Sequence, residues 1–131
     1  MPPLDIQIGK ELAGRYVVSE RLGSGGYGLV WKATDKTLGR TVALKRLFNS
    51  GLPDNDALIA EARKSAALIH QNIVQVYDIP MIDGEAVLVM ECVDGPMLWT
   101  LLRESAKRGD SVKLERFTSI MRGLLDGISF A

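Results

Sequence analysis

The chain has 131 residues, room for one ordinary domain and too little for two large ones. At 47% hydrophobic and 24% charged residues, its composition is that of a soluble globular protein and excludes a disordered one. Lys plus Arg and Asp plus Glu each number 16, and the resulting near-zero net charge argues against nucleic-acid or membrane-surface binding, which usually want a basic excess.

Residues 1–14, MPPLDIQIGKELAG, have no basic n-region and no apolar h-region, so they are no signal peptide. They read as a short, weakly structured lead-in. From Arg15 to Leu22, Tyr16, Val18 and Glu20 alternate against Val17, Ser19 and Arg21, as in a half-buried strand. Leu29 to Thr34 is rich in strand formers. Asp35-Lys36-Thr37-Leu38-Gly39 reads as a turn and Thr41 to Phe48 as a third strand. After a loop with Gly51 and Pro53, the N-cap residues Asp54, Asn55 and Asp56 open a helix to about Ile69. Leu58, Ala62, Ser65 or Ala66, and Ile69 mark one face of it.

Ile73 to Pro80 and Glu85 to Glu91 read as two further strands, with Asp83-Gly84 between them as a tight-hairpin signal. Cys92, the single cysteine, has no partner for a disulfide, which points to a reducing cytoplasm. Past Asp94-Gly95-Pro96, Met97 to about Lys107 reads as a short helix. Lys113 to Ala131 reads as a longer one, with Leu114, Phe117, Ile120 or Met121, Leu124 and Ile128 on one face. No apolar run is long enough to span a membrane. The expected class is α+β, with a five-stranded antiparallel sheet, one helix within it and two helices after it.

RLGSGGYGLVWKA, residues 21–33, carries Gly23, Gly25 and Gly28 at the spacing G-x-G-x-x-G. A dinucleotide-binding loop of that spacing needs a helix directly after it, and here a strand follows. A Walker-type loop needs Gly-Lys-Ser/Thr at its end, and none is present. Two readings stay open from the residues alone: a glycine-rich hairpin turn, or a hairpin whose backbone cradles phosphate. Val42-Ala43-Leu44-Lys45 lies on the next strand, and strand alternation points Ala43 and Lys45 the same way. A small apolar residue beside a lysine makes a slot for a flat base with a cation at its end; the plainer reading is a surface lysine. Glu61 lies mid-helix, where the plain reading is a solvated face. The apolar strand Val87-Leu88-Val89-Met90 runs into Glu91-Cys92-Val93-Asp94-Gly95, a connection whose main chain could pair with a purine edge.

Together these stretches resemble the N-terminal part of a eukaryotic-type protein kinase domain, near the bacterial Ser/Thr kinase branch. Gly23 to Val30 is similar to G-x-G-x-x-G-x-V, and Val42-Ala43-Leu44-Lys45 to V-A-I-K. Glu61 falls at the place of the αC glutamate. His70-Gln71-Asn72-Ile73-Val74 resembles H-P-N-I-V, and Val89 to Gly95 resembles V-M-E-Y-V-D-G. The likeness runs from about Tyr16 to Ala131. It implies a kinase N-lobe at about 15–93, a hinge at about 91–96 and the start of a C-lobe at about 97–131. It further implies that the backbone of Gly23, Ser24, Gly25, Gly26, Tyr27 and Gly28 covers the ATP phosphates. Lys45 would bind the α- and β-phosphates and pair with Glu61. Leu22, Val30 and Ala43 would sandwich the adenine, Met90 would be the gatekeeper, Glu91 and Val93 would offer hinge backbone bonds, and Leu98 would close the slot.

Two positions depart from the pattern. Ser65 is small and polar where many kinases carry a larger apolar residue, and Met97 offers the ribose no carboxylate. The family's catalytic loop, H-R-D-L-x-x-x-N, and its D-F-G are not in these residues: the single histidine is His70, and Asp126-Gly127 lacks the intervening Phe. The resemblance therefore implies a Ser/Thr kinase that uses ATP with Mg²⁺ and acts on protein hydroxyls. The Mg²⁺ ligands and the base lie outside this chain, and the chain alone is expected to be catalytically incomplete. The 113–131 helix is expected to need a cover, either the family's helical lobe or a partner. The alternative is a truncated, pseudokinase-like nucleotide-binding or regulatory module that pairs with another chain.

Overall fold

The computed structural model describes residues 4–25, 28–46, 55–109 and 113–131, with the backbone alone described at 24, 25, 28, 55, 57, 58 and 61. They form two compact units, Met1–Ile69 with Val74–Cys92, and His70–Ile73 with Val93–Ala131. The first unit holds β1 (Glu11–Leu12), β2 (Tyr16–Gly25), β3 (Gly28–Asp35), β4 (Arg40–Arg46), α1 (Asn55–Ala66), β5 (Val76–Asp78), β6 (Met81–Ile82) and β7 (Glu85–Glu91). The sheet runs β1-β2-β3-β4-β7-β5, with β6 on β7, and every pairing is antiparallel. The five expected strands are β2, β3, β4, β5 and β7. The two-residue strands β1 and β6 raise the count to seven.

Asp83 and Gly84 make the expected two-residue hairpin, at φ 50° and 81°, the left-handed pair that matches the twist of the flanking strands. Opposed residues in an antiparallel pair share a face, so the register sorts the side chains. Trp31, Leu44 and Val89 line up across β3, β4 and β7 on one face, beside the pair Ala33 and Val42. All five are buried, and with Tyr16, Val18, Ile82 and Val87 they form the core. Val30, Lys45 and Leu88 line up on the opposite face, beside Lys32, Ala43 and Met90. α1 is in contact with β5 and β7.

The lead-in is not weakly structured where it is described. Leu4 and Leu12 are each 2% exposed and belong to the core, with Ile6 packed against it. The Gly9 N–H donates to Val18 O at 2.7 Å and the Val18 N–H to Lys10 O at 3.0 Å, so the segment extends the sheet along β2. Its apolar residues are too sparse for a period to show, but they cover a face that would otherwise meet water.

The Asp35 turn is also more than a turn. The Asp35 side chain is fully buried. The Arg15 guanidinium donates to it through Nε and Nη2, each at 2.8 Å, and the Thr37 and Leu38 N–H groups donate to Oδ1 at 3.0 and 3.2 Å. Arg15 and those two N–H groups outweigh burial and hold its carboxyl down at about 2. Gly39, at φ 63°, closes the turn with its N–H on Asp35 O.

Two expected elements are shorter. The helix ends at Ala66: the Ala67 N–H is shared between Arg63 O and Lys64 O, the Leu68 N–H reaches Ser65 O three residues back, and Ile69 stands exposed. The strand expected over 73–80 is reduced to Val76–Asp78. The His70 side chain turns the chain before it: its Nδ1 accepts the Asn72 N–H at 3.0 Å, and the Ile73 N–H donates to His70 O. The expected loop residues Gly51 and Pro53, the cap Asp54 and the end of the β4 strand at Phe48 lie outside the described residues.

In the second unit α2 spans Leu98–Lys107 and α3 spans Leu114–Phe130. The His70–Ile73 turn rests on α3. A Cβ at Gly127 would stand 3.1 Å from Asn72 O and one at Gly123 3.0 Å from Asn72 Nδ2, so the spacing of these glycines admits the turn. The His70 and Phe130 rings lie 4.9 Å apart. The apolar stripe of α3 is exposed at Leu114, Phe117, Leu124 and Ile128.

Candidate functional site

Alternation along β4 decides the site. Val42 and Leu44 enter the core, which turns Ala43 and Lys45 to the other face. Lys45 is opposed by Val30 on β3 and by Leu88 on β7; Ala43 is opposed by Lys32 and Met90. Of the expected site residues, Val30, Ala43, Lys45 and Met90 therefore share one face. Ala43 is 4% exposed, while Val30, Lys45 and Met90 are half-buried. Leu88 and Lys32 share that face and were not expected; period-2 counting on β7 and β3 would have found them.

The glycine segment closes the β2–β3 hairpin. Gly23 pairs with Val30, Ser24 with Leu29, and Gly25 with Gly28. Between Arg21 and Gly23 the register slips by one residue, which leaves Leu22 as a bulge, 44% exposed. A bulge adds twist and re-aims a side chain, a common device beside ligand sites. Among the described residues Gly23 has no steric reason to be glycine: a Cβ there meets nothing within 4 Å, and its φ is not left-handed. Gly23→Ala is accordingly expected to leave thermal stability within about 0.5 kcal/mol of the parent. If its backbone must approach a phosphate, the same variant weakens nucleotide affinity; a calorimetric melt and a nucleotide titration read the two effects separately.

The remaining site residues fall as follows. Gly26 and Tyr27 lie outside the described residues. Glu61 lies on α1, but its side chain is not described, so its pairing with Lys45 stays an expectation. Glu91 ends β7; its N–H donates to Gln75 O at 2.8 Å and its carboxylate accepts the Gln75 N–H at 3.1 Å. Any backbone bond it makes to a ligand thus runs through its carbonyl. Val93 and Leu98 belong to the second unit, at 61% and 41% exposure. Among the described residues, no group of three or more His, Cys, Asp or Glu is placed to hold a metal ion. No helix among them is long and apolar enough to cross a membrane.

The core side of the same strands carries an ion pair. Arg46, next after Lys45, donates to Glu85 Oε2 from Nε at 3.0 Å and from Nη2 at 2.5 Å, and the Leu4 N–H donates to Glu85 Oε1 at 2.8 Å. Burial pushes the Glu85 carboxyl up, but the Leu4 N–H and Arg46 together outweigh it and hold it below the usual range.

A family model described as protein kinase domain matches residues 16–131. The serine/threonine-protein kinase PknA of Mycobacterium tuberculosis is 38% identical over 77% of this chain and 25% of its own length. The serine/threonine-protein kinase PrkC of Bacillus subtilis is 38% identical over 70% of this chain and 14% of its own. The cell division control protein 2 homolog 3 of Trypanosoma brucei brucei is 32% identical over 92% of this chain and 38% of its own. The chain thus spans between about a seventh and two fifths of the length of these relatives. With the family model covering nearly all of its length and an antiparallel sheet bearing one helix as its first unit, the chain belongs to the protein kinase domain family.

Proposed function

We propose that this chain supplies the ATP-binding part of a serine/threonine protein kinase, which transfers the γ-phosphate of ATP to protein hydroxyls. The observation that carries the reading is the β4 register, which sets Lys45 and Ala43 on the sheet face away from the core, beside Val30 and Met90. In this reading the adenine lies between Leu22, Val30 and Ala43, with Met90 behind it. Lys45 donates to the α- and β-phosphate oxygens and Glu61 fixes its ammonium. The backbone of residues 23–28 covers the phosphates, since glycine lets N–H groups come close. Glu91 offers its carbonyl, and the family resemblance adds Val93 and Leu98. Mg²⁺ would spread the charge of the transferring group in the complete enzyme.

Binding and chemistry are separable in this scheme. A lysine and a glycine loop position a nucleotide, whereas transfer also needs a base and charge stabilisation at the γ-phosphate. The purified 131-residue chain is therefore expected to bind ATP without transferring phosphate. Lys45→Met is expected to weaken ATP binding about tenfold, the worth of a charge-assisted hydrogen bond. Titration of ATP into both proteins checks this, and equal affinities would sink the reading. The second reading, a nucleotide-binding module that pairs with another chain, draws on the exposed Leu114, Phe117, Leu124 and Ile128 of α3. Sedimentation of the chain with and without a candidate kinase separates the two.

A further inference from the structure

The structure assigns Glu85 as a positioning residue for Lys45, acting through a clamp that joins the lead-in, Arg46 of β4 and the start of β7. This rests on the reading of Lys45 as the phosphate-binding lysine. Arg46 directly follows Lys45 on β4. The two residues share one stretch of backbone, so whatever fixes the Arg46 side chain also fixes the main chain that aims Lys45. Glu85 is the first residue of β7 and faces the tight Asp83-Gly84 turn, so its own backbone is constrained.

Both oxygens of Glu85 are used. Oε2 takes two bonds from the Arg46 guanidinium, and Oε1 takes the Leu4 N–H. Arg46 is opposed to Val87, on the core face, while Lys45 is opposed to Leu88 on the other. The clamp therefore grips β4 from behind, one residue beyond Lys45, without touching the face where the nucleotide would lie. Leu4 is seated in the core, so the third member of the clamp is itself anchored. Both ionic side chains are about three-quarters buried, which shields the pair from solvent better than an exposed one. Residue 4 precedes the matched kinase segment, which starts at 16, so the lead-in contributes to a site that the matched segment was expected to build alone.

The phosphates are what Lys45 grips, so its misplacement costs affinity for ATP and not for adenosine. The test is an NMR shift titration of the 131-residue chain with ATP and, separately, with adenosine. The parent is compared with Lys45→Met, Glu85→Ala and Glu85→Gln. Glu85→Ala is expected to cut the preference for ATP over adenosine about fivefold, towards the value of Lys45→Met, with adenosine affinity unchanged. Glu85→Gln keeps an acceptor for Leu4 but loses the charge facing Arg46, and falls between. A purely structural role would weaken both ligands together. Equal weakening, or an unchanged preference, overturns the proposal. An unchanged preference in Lys45→Met shows instead that the lysine reading is wrong, and the proposal falls with it. Dispersed amide spectra establish that each variant is folded. If Glu85→Ala is not, Arg46→Met breaks the same clamp while keeping the apolar stem, and the same outcomes decide.

Discussion

Acid is expected to loosen the first unit through Asp35, with Glu85, whose carboxyl is also held low, acting in the same direction. The folded pKa of Asp35, about 2, lies below its ordinary value of 3.8, so folding favours the charged form. Its contribution to stability is therefore fully present above about pH 3.8 and is lost progressively as pH falls to about 2. The cause is local. Burial alone would favour the neutral acid, but the two Arg15 bonds and the Thr37 and Leu38 N–H groups all prefer the anion. Protonation would weaken the link between the start of β2 and the β3–β4 turn together.

Asp35→Asn keeps the shape and one acceptor but not the charge. It is expected to be less stable than the parent at neutral pH and to show a flatter stability profile over that acid window. Trp31, in the core at 6% exposure, reports on this unit by fluorescence; Trp99, exposed in the second unit, is best changed to Phe first. A variant with the parent's acid slope would refute the assignment to Asp35.

Leu4→Ala is expected to destabilise the first unit by about 2–5 kcal/mol, the usual range for truncating a buried leucine. Leu4 is 2% exposed and packs in the same cluster as Leu12, Ile82 and Val87. Its removal leaves a void where the lead-in crosses the core face, and it loosens the segment whose N–H holds Glu85. Urea unfolding followed through Trp31 measures the change. A loss under about 0.5 kcal/mol would mean that the lead-in merely lies on the sheet.

The local chemistry of the chain was legible in its residues. Alternation identified the strand that became β2, strand-forming residues the one that became β3, and the Asp83-Gly84 pair the hairpin before β7, because only glycine and a few polar residues enter left-handed φ cheaply. The common orientation of Ala43 and Lys45 followed from the two-residue period alone. Helix and strand ends were less legible: α1 ended three residues early at Ala66, and β5 shrank to Val76–Asp78, because the His70–Asn72 turn takes its bonds from a side chain rather than from a ladder.

By itself, then, the sequence determined the main strands and helices, the kinase likeness, and which residues of β4 share a face. These depend on near neighbours and on fixed backbone periods. Only the tertiary structure decided which face of the sheet became the core, that Leu4 and Leu12 would cover it, that the turn residue Asp35 would be buried against Arg15, and that Leu22 would stand out as a bulge. Each of those depends on partners 8 to 81 residues away: Lys10 to Val18 across β2, Arg15 to Asp35, Leu4 to Glu85. Local propensity carries no information at that range, and burial rewards whichever distant surfaces happen to fit.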